Sequence, residues 1–213
     1  MIQMLIAGGW MMIPIVVSSL VAVSIVLERG WFFYHMPTSD NADRMIKLVA
    51  QSKFTDALAL NDRESNSILR VLTAGIHSRS SGPEKAMEAA GIAELTNMKR
   101  GMPALDTIIT LAPLLGLLGT IIGMIDSFGV MADQGIGQPH AVTGGVAEAL
   151  ICTAAGIFVA VIALVPYNYF LSRIERQTEL IEYYATRIES SLKDTPENTP
   201  RETARRRKKE SPN

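Results

Sequence analysis

Between Ala141 and Ser172 a single side chain carries a formal charge, Glu148. A carboxylate in an otherwise apolar stretch is costly to ionise at bilayer depth; such a residue either marks an ion or proton pathway or reaches from a helix end to the interface. Hydroxyls recur around it. Asp106, Thr110, Pro113, Gly116, Thr120, Gly123 and Ser127 follow one another by three and four residues, and so do Ala149, Thr153, Gly156, Ala160, Ala163 and Tyr167, a spacing that puts each set on one face of a helix. Carboxylates and hydroxyls can pass or solvate a proton. Small residues allow backbones to approach where lipid gives no hydrophobic drive, as in Gly119-x-x-x-Gly123, so these faces line an interface or a pore. Glu148 and Thr153 point about 140° apart, five residues at ~100° each, and cannot share a ridge. They can face one lumen from neighbouring subunits or across a gap to the other helix. Pro113 leaves the Ile109 carbonyl without its helical donor, which a membrane tolerates only where protein or water satisfies it. Asp106 and Asp126 lie near the ends of their apolar stretch, where solvation accounts for them.

Other chemistries find no support in the sequence. His35, His77 and His140 are dispersed, with no Cys or acid at ligand spacing, so no metal site is expected. No Walker loop and no Ser paired with a base are present, and neither cofactor nor enzymatic reaction is expected. One cysteine, Cys152, cannot make an internal bridge.

The elements that position these residues follow from where charge is missing. The chain has 213 residues, 48% hydrophobic, and its 20 Lys and Arg lie at Arg29, from Arg44 to Arg100 and from Arg173 to Lys209. Residues 1–28 and 101–172 have none. Since ~20 apolar residues cross a ~30 Å hydrocarbon core, three membrane spans are expected. The first is a retained span rather than a cleaved signal, because it lacks a basic start and a small-residue cleavage site. Trp10 and the stretch from Trp31 to Tyr34 flank it as interfacial aromatics. Basic residues collect on the cytoplasmic side, which places the N-terminus and the loop from Ser127 to Val142 outside, and the middle segment and C-terminus inside.

The reading is all-α: a polytopic membrane protein with three transmembrane helices, spans two and three extending into the cytoplasm. Its parts are a first span over 1–33, a cytoplasmic helical segment over 34–102, a second span over 103–130, a periplasmic loop over 131–142, a third span over 143–171, a cytoplasmic helix extension over 172–193 and a disordered basic tail over 194–213. Ser81-Gly82-Pro83-Glu84 fits a capping box, and nothing after it stops a helix before Gly101, so span two reads as the outer half of one long kinked helix. Past Pro166, Leu171, Ile174, Ile181, Tyr184, Ile188 and Leu192 form a stripe that needs a partner, either a neighbouring subunit or the middle segment. The run from Arg205 to Lys209 can touch anionic lipid, and no nucleic-acid partner is expected.

The residues from Ala112 to Ile125, with Ser127-Phe128, Gly145 to Leu150 and Thr153 to Gly156, resemble the MotA/TolQ/ExbB proton-channel family, nearest to its ExbB and TolQ members. Gly8-Gly9-Trp10, Pro14-Ile15 and Glu28-Arg29 are similar to that family's first span. The resemblance implies an inner-membrane homopentamer around a lumen that holds the single spans of two ExbD- or TolR-type chains, each bringing a carboxylate. It further implies a TonB- or TolA-type energy transducer. Thr120, Glu148 and Thr153 match the family's polar lumen positions, with Pro113, Gly116, Gly119, Gly123 and Gly156 packing around the lumen. The implied function is coupling of the proton motive force to TonB-dependent transport. A TolQ-like role in envelope maintenance and a non-conducting scaffold are the alternatives; a flagellar stator fits less well, since MotA has four spans.

Overall fold

The computed structural model describes residues 9–36, 40–63, 66–134 and 139–194. Among them are seven helices: α1 Met12–Tyr34, α2 Asp40–Ala50, α3 Phe54–Arg63, α4 Ser67–His77, α5 Pro83–Met98, α6 Met102–Gln134 and α7 Pro139–Asp194. The described residues contain no strand. The basic tail lies outside them, apart from its first residue. Two compact units form, Met1–Tyr34 with Arg100–Ser172, and His35–Lys99 with Arg173–Asn213. The helix α7 contributes its first part to one and its last turns to the other.

The first unit is a bundle of three apolar helices, and among the described residues three helices are long and apolar enough to cross a membrane. Side-chain contacts fix their directions. Just before α1 begins, Met11 comes to 3.6 Å from where a Gly119 Cβ would stand; past its middle, Ile25 comes to 3.1 Å from the same point on Gly101. The helix α1 therefore runs antiparallel to α6. Gly9 lies beside Glu148 and the Phe33 ring stacks on Phe170 at 5.5 Å, so α1 runs parallel to α7. Ile15, Leu105, Ala112, Cys152 and Ala163 form the middle of the core. Only 22% of the apolar window in α1 and 28% in each of the other two is buried within the chain. Ile13, Leu20, Leu114, Ile121, Phe158 and Val165 face outward, where only lipid or another chain can cover them. Trp10 is 64% exposed and Trp31 71% exposed, at opposite ends of α1. Their 21-residue separation spans ~32 Å at 1.5 Å per residue, close to the hydrocarbon thickness.

In the second unit α2 packs on α3, α3 on α4 and α4 on α5. Met45, Val49, Leu69, Leu72, Ile76 and Ile188 are fully or almost fully buried there. The stripe on α7 finds its partner in the middle segment. Ile174, Ile181, Tyr184, Ile188 and Leu192 are buried, Ile181 packs at Gly91, and Asp43 accepts from Arg187 at 2.6 Å and from the Tyr184 hydroxyl at 3.2 Å. Across α4 and α5, Arg70 binds Glu94 through two hydrogen bonds of 2.5 and 2.6 Å. The helix α4 is capped by Asn66, whose side chain accepts from the Leu69 amide at 2.8 Å.

One expectation about α5 is corrected. The capping box does not form: Gly82 takes the cap position at φ +119° with no side-chain bond, Pro83 opens the helix, and Glu84 accepts instead from Lys193 at 3.0 Å. Pro at the first helical position has its φ already set for the helix and one orphan N–H fewer to satisfy. The expected long helix is interrupted at Gly101. α5 ends at Met98 and α6 begins at Met102, with Gly101 at φ +80°, a conformation that only glycine adopts freely.

Candidate functional site

The faces of small residues on α6 and α7 meet each other within one chain. A Cβ on Gly116 would stand 2.9 Å from the Cys152 carbonyl oxygen, and one on Gly156 would stand 2.4 Å from the Ala112 carbonyl oxygen. Gly119 faces Cys152, Gly123 faces Ala149, and Gly145 faces Ser127 in the same seam. Any side chain larger than hydrogen would push the backbones apart, so the glycines set the helix separation. The run Gly145, Ala149, Cys152, Gly156 has the same three-and-four spacing as the α6 face, and that spacing was the available signal for Gly145 and Cys152 as seam residues.

Thr153 ties this seam. Its hydroxyl donates to the Gly116 carbonyl at 3.0 Å, across the two helices. The Thr120 hydroxyl donates to Leu117 of its own helix at 2.7 Å, and Thr110 donates likewise to Thr107 at 2.9 Å. In each case the hydrogen is committed to a carbonyl, while the oxygen keeps a lone pair for a water or a passing proton. Thr120 is half-buried, four residues on from Gly116, hence at the edge of the seam. Pro113 is half-buried inside α6, which continues through it without interruption.

Glu148 lies on the other side of α7. Its carboxyl end packs against Gly9, at the level where α1 starts, whereas Thr153 faces α6. The expected divergence of the two is thus visible, and the site residues do not gather into one cluster. Thr153, Gly116 and Gly156 come together, Gly119 and Gly123 continue the seam, and Glu148 stands apart at the depth of Trp10. A half-buried carboxylate at an aromatic rim is less costly than one at the bilayer centre, because it can reach water. Thr153 is about 7.5 Å further along the helix. Asp106 and Asp126 are exposed on α6. Among the described residues no three His, Cys, Asp or Glu side chains gather as metal ligands.

The second unit carries ordinary surface electrostatics. Arg187 beside Asp43 and Arg70 beside Glu94 hold these carboxyls below their usual range by hydrogen bonding. Glu189 and Glu84 push the Lys193 ammonium up to about 12. These pairs fasten helices together.

Comparison with known proteins adds what the geometry cannot. The sequence pattern of the MotA/TolQ/ExbB proton channel family matches residues 63–183. Two proteins of Synechocystis sp. (strain PCC 6803), named as ExbB-like biopolymer transport proteins 1 and 3, are similar. The first is 35% identical over 188 residues, covering 84% of this chain and 72% of the relative; the second is 34% identical over 190 residues, covering 86% and 90%. The Tol-Pal system protein TolQ of Pseudomonas aeruginosa is 37% identical over 94 residues, 44% of this chain and 41% of the relative. With a family match over more than half of its length and relatives aligned along most of theirs, the chain belongs to the MotA/TolQ/ExbB proton channel family.

Proposed function

We propose that the chain is the channel subunit of a proton-driven motor that couples the proton motive force to TonB-dependent transport across the outer membrane, in the manner of ExbB. The observation that carries this reading is the graded polar series in an apolar bundle: Glu148 at the aromatic rim, with Thr120 and Thr153 deeper along the α6–α7 seam. Glu148 receives or tunes the proton, the Thr oxygens solvate it, and a carboxylate on the partner's single span carries it. One charge crossing 100 mV releases ~2.3 kcal/mol, enough over repeated transfers to bias rotation around a partner.

In this reading five copies surround the lumen, Pro113 and the seam glycines pack the wall, and an ExbD- or TolR-type dimer occupies the centre. The exposed apolar faces of α1, α6 and α7 support such an assembly, since a single copy covers so little of them. The N-terminus and the connection from the end of α6 to the start of α7 face the periplasm of an inner membrane, and the second unit faces the cytoplasm. The chain conducts and couples, with no bond-making chemistry. The likeness to TolQ favours a second reading, a Tol-Pal role with a TolA-type transducer. Purification from the native membrane tests the first: a pentamer by native mass spectrometry, with a short single-span protein carrying a membrane Asp, is expected. A stable monomer with intact helices contradicts it. Deletion separates the two roles, ExbB-like loss impairing uptake of iron complexes and TolQ-like loss making cells leaky to detergent.

A further inference from the structure

Gly9 stands just before α1, at φ +65°, with its carbonyl accepting from the Met12 amide at 3.1 Å. A left-handed residue is tolerable for glycine and strained for others. A second constraint at the same place is independent of the first. A Cβ built on Gly9 would stand 1.7 Å from Oε1 of Glu148 and 2.9 Å from its carboxyl carbon, whereas real Cβ contacts essentially never fall under 3.0 Å. The missing side chain is therefore the space in which the Glu148 carboxyl group rests. Glu148 is half-buried, the lone charged side chain in the apolar part of α7, and held on the α1 side of that helix.

We infer that Gly9 is a positioning residue for Glu148: the turn that starts the first span forms one wall of the carboxylate's seat and fixes its direction and its access to water. This rests on the reading of Glu148 as part of the proton path. The turn before α1 thereby belongs to the functional site, although it is over a hundred residues away in sequence and leads into the helix that carries none of the polar series. Gly9→Ala must push the carboxyl group out of its seat. Glu148→Asp should undo that, because the Asp carboxyl carbon falls where the Glu148 Cγ now stands, 3.7 Å from the same point and an ordinary contact.

The test is a mutant cycle on the full chain, purified with its co-expressed single-span partner and reconstituted in liposomes. Gly9→Ala should lower proton flux by roughly tenfold or more, a barrier change of ~1.4 kcal/mol. Gly9→Ala combined with Glu148→Asp should conduct better than Gly9→Ala alone, a rescue that a purely structural role of Gly9 does not produce. A thermal-unfolding cycle in detergent decides the contact whatever the flux. Gly9→Ala should shift the midpoint less in a Glu148→Ala background, where only the φ strain is left, than in the wild type. Equal shifts in both backgrounds, or wild-type flux in Gly9→Ala, overturns the inference. Full flux in Glu148→Ala instead removes the proton-path reading beneath it, which is a separate failure.

Discussion

Thr153 has a structural duty that a residue-by-residue reading of polarity does not reveal. Its hydroxyl closes a hydrogen bond between α6 and α7, so its loss and the loss of a proton relay have the same sign. Interhelical bonds of this kind average ~0.6 kcal/mol in membranes. Thr153→Val, which keeps the shape, should therefore cost about that much stability, read as a small drop in thermal midpoint, while Thr153→Ser keeps the bond. Thr120 bonds only its own helix, so Thr120→Val leaves the seam intact and isolates the relay. A flux loss well beyond the stability loss at Thr120 supports conduction through the hydroxyl; unchanged flux gives it a packing role. The polar residues themselves were legible in the sequence because charge and hydroxyls are rare in an apolar stretch. Their partners were not, since the Gly116 carbonyl and Gly9 are reached only through the fold.

At the scale of elements, the seam between α6 and α7 depends on absent side chains. Gly156→Val places its Cβ 2.4 Å from the Ala112 carbonyl oxygen, a backbone atom that cannot swing aside. Overpacking of this kind costs about 1–3 kcal/mol or more, so folded oligomer recovered by size exclusion should fall sharply. Gly129→Ala, with nothing within 4 Å, should be neutral or mildly stabilising. The small faces were readable as a close-approach pattern, yet a Gly-x-x-x-Gly spacing states that helices approach without naming which. The α7 stripe shows the same limit: its period announced a buried face, but Asp43 and Arg187 are 144 residues apart and only tertiary structure joins them. The Ser81 box matched its pattern and still failed, because Pro83 and the backbone of Gly82 took over the helix start. In the second unit, Glu94 and Asp43 have lowered pKa values, so their pairs stabilise above the ordinary carboxylate range, near 4.5 and 3.8, and are lost as pH falls through the lowered values. Glu94→Gln should lower stability at pH 7 and flatten the acid limb of a pH–stability curve below the ordinary carboxylate range.

The whole molecule divides its composition sharply, and that division made the membrane class legible before any contact was known. A net charge of -1 conceals two long stretches without a basic residue. Their placement predicts that a cysteine at Gln134 is labelled from the periplasm and one at Ser78 is not. The reverse pattern removes the proposed orientation. Assembly was less legible, because apolar surface facing outward is what both lipid and a neighbouring subunit require. The central claim is that protons cross the membrane through this chain with its partner, and that Glu148 serves their passage. Proton influx into liposomes under a potassium diffusion potential measures it directly. The complex should carry a flux that is lost in Glu148→Ala while oligomer and partner are retained; a complex that holds the proton gradient as tightly as empty liposomes, or an undiminished flux in Glu148→Ala, would contradict the account.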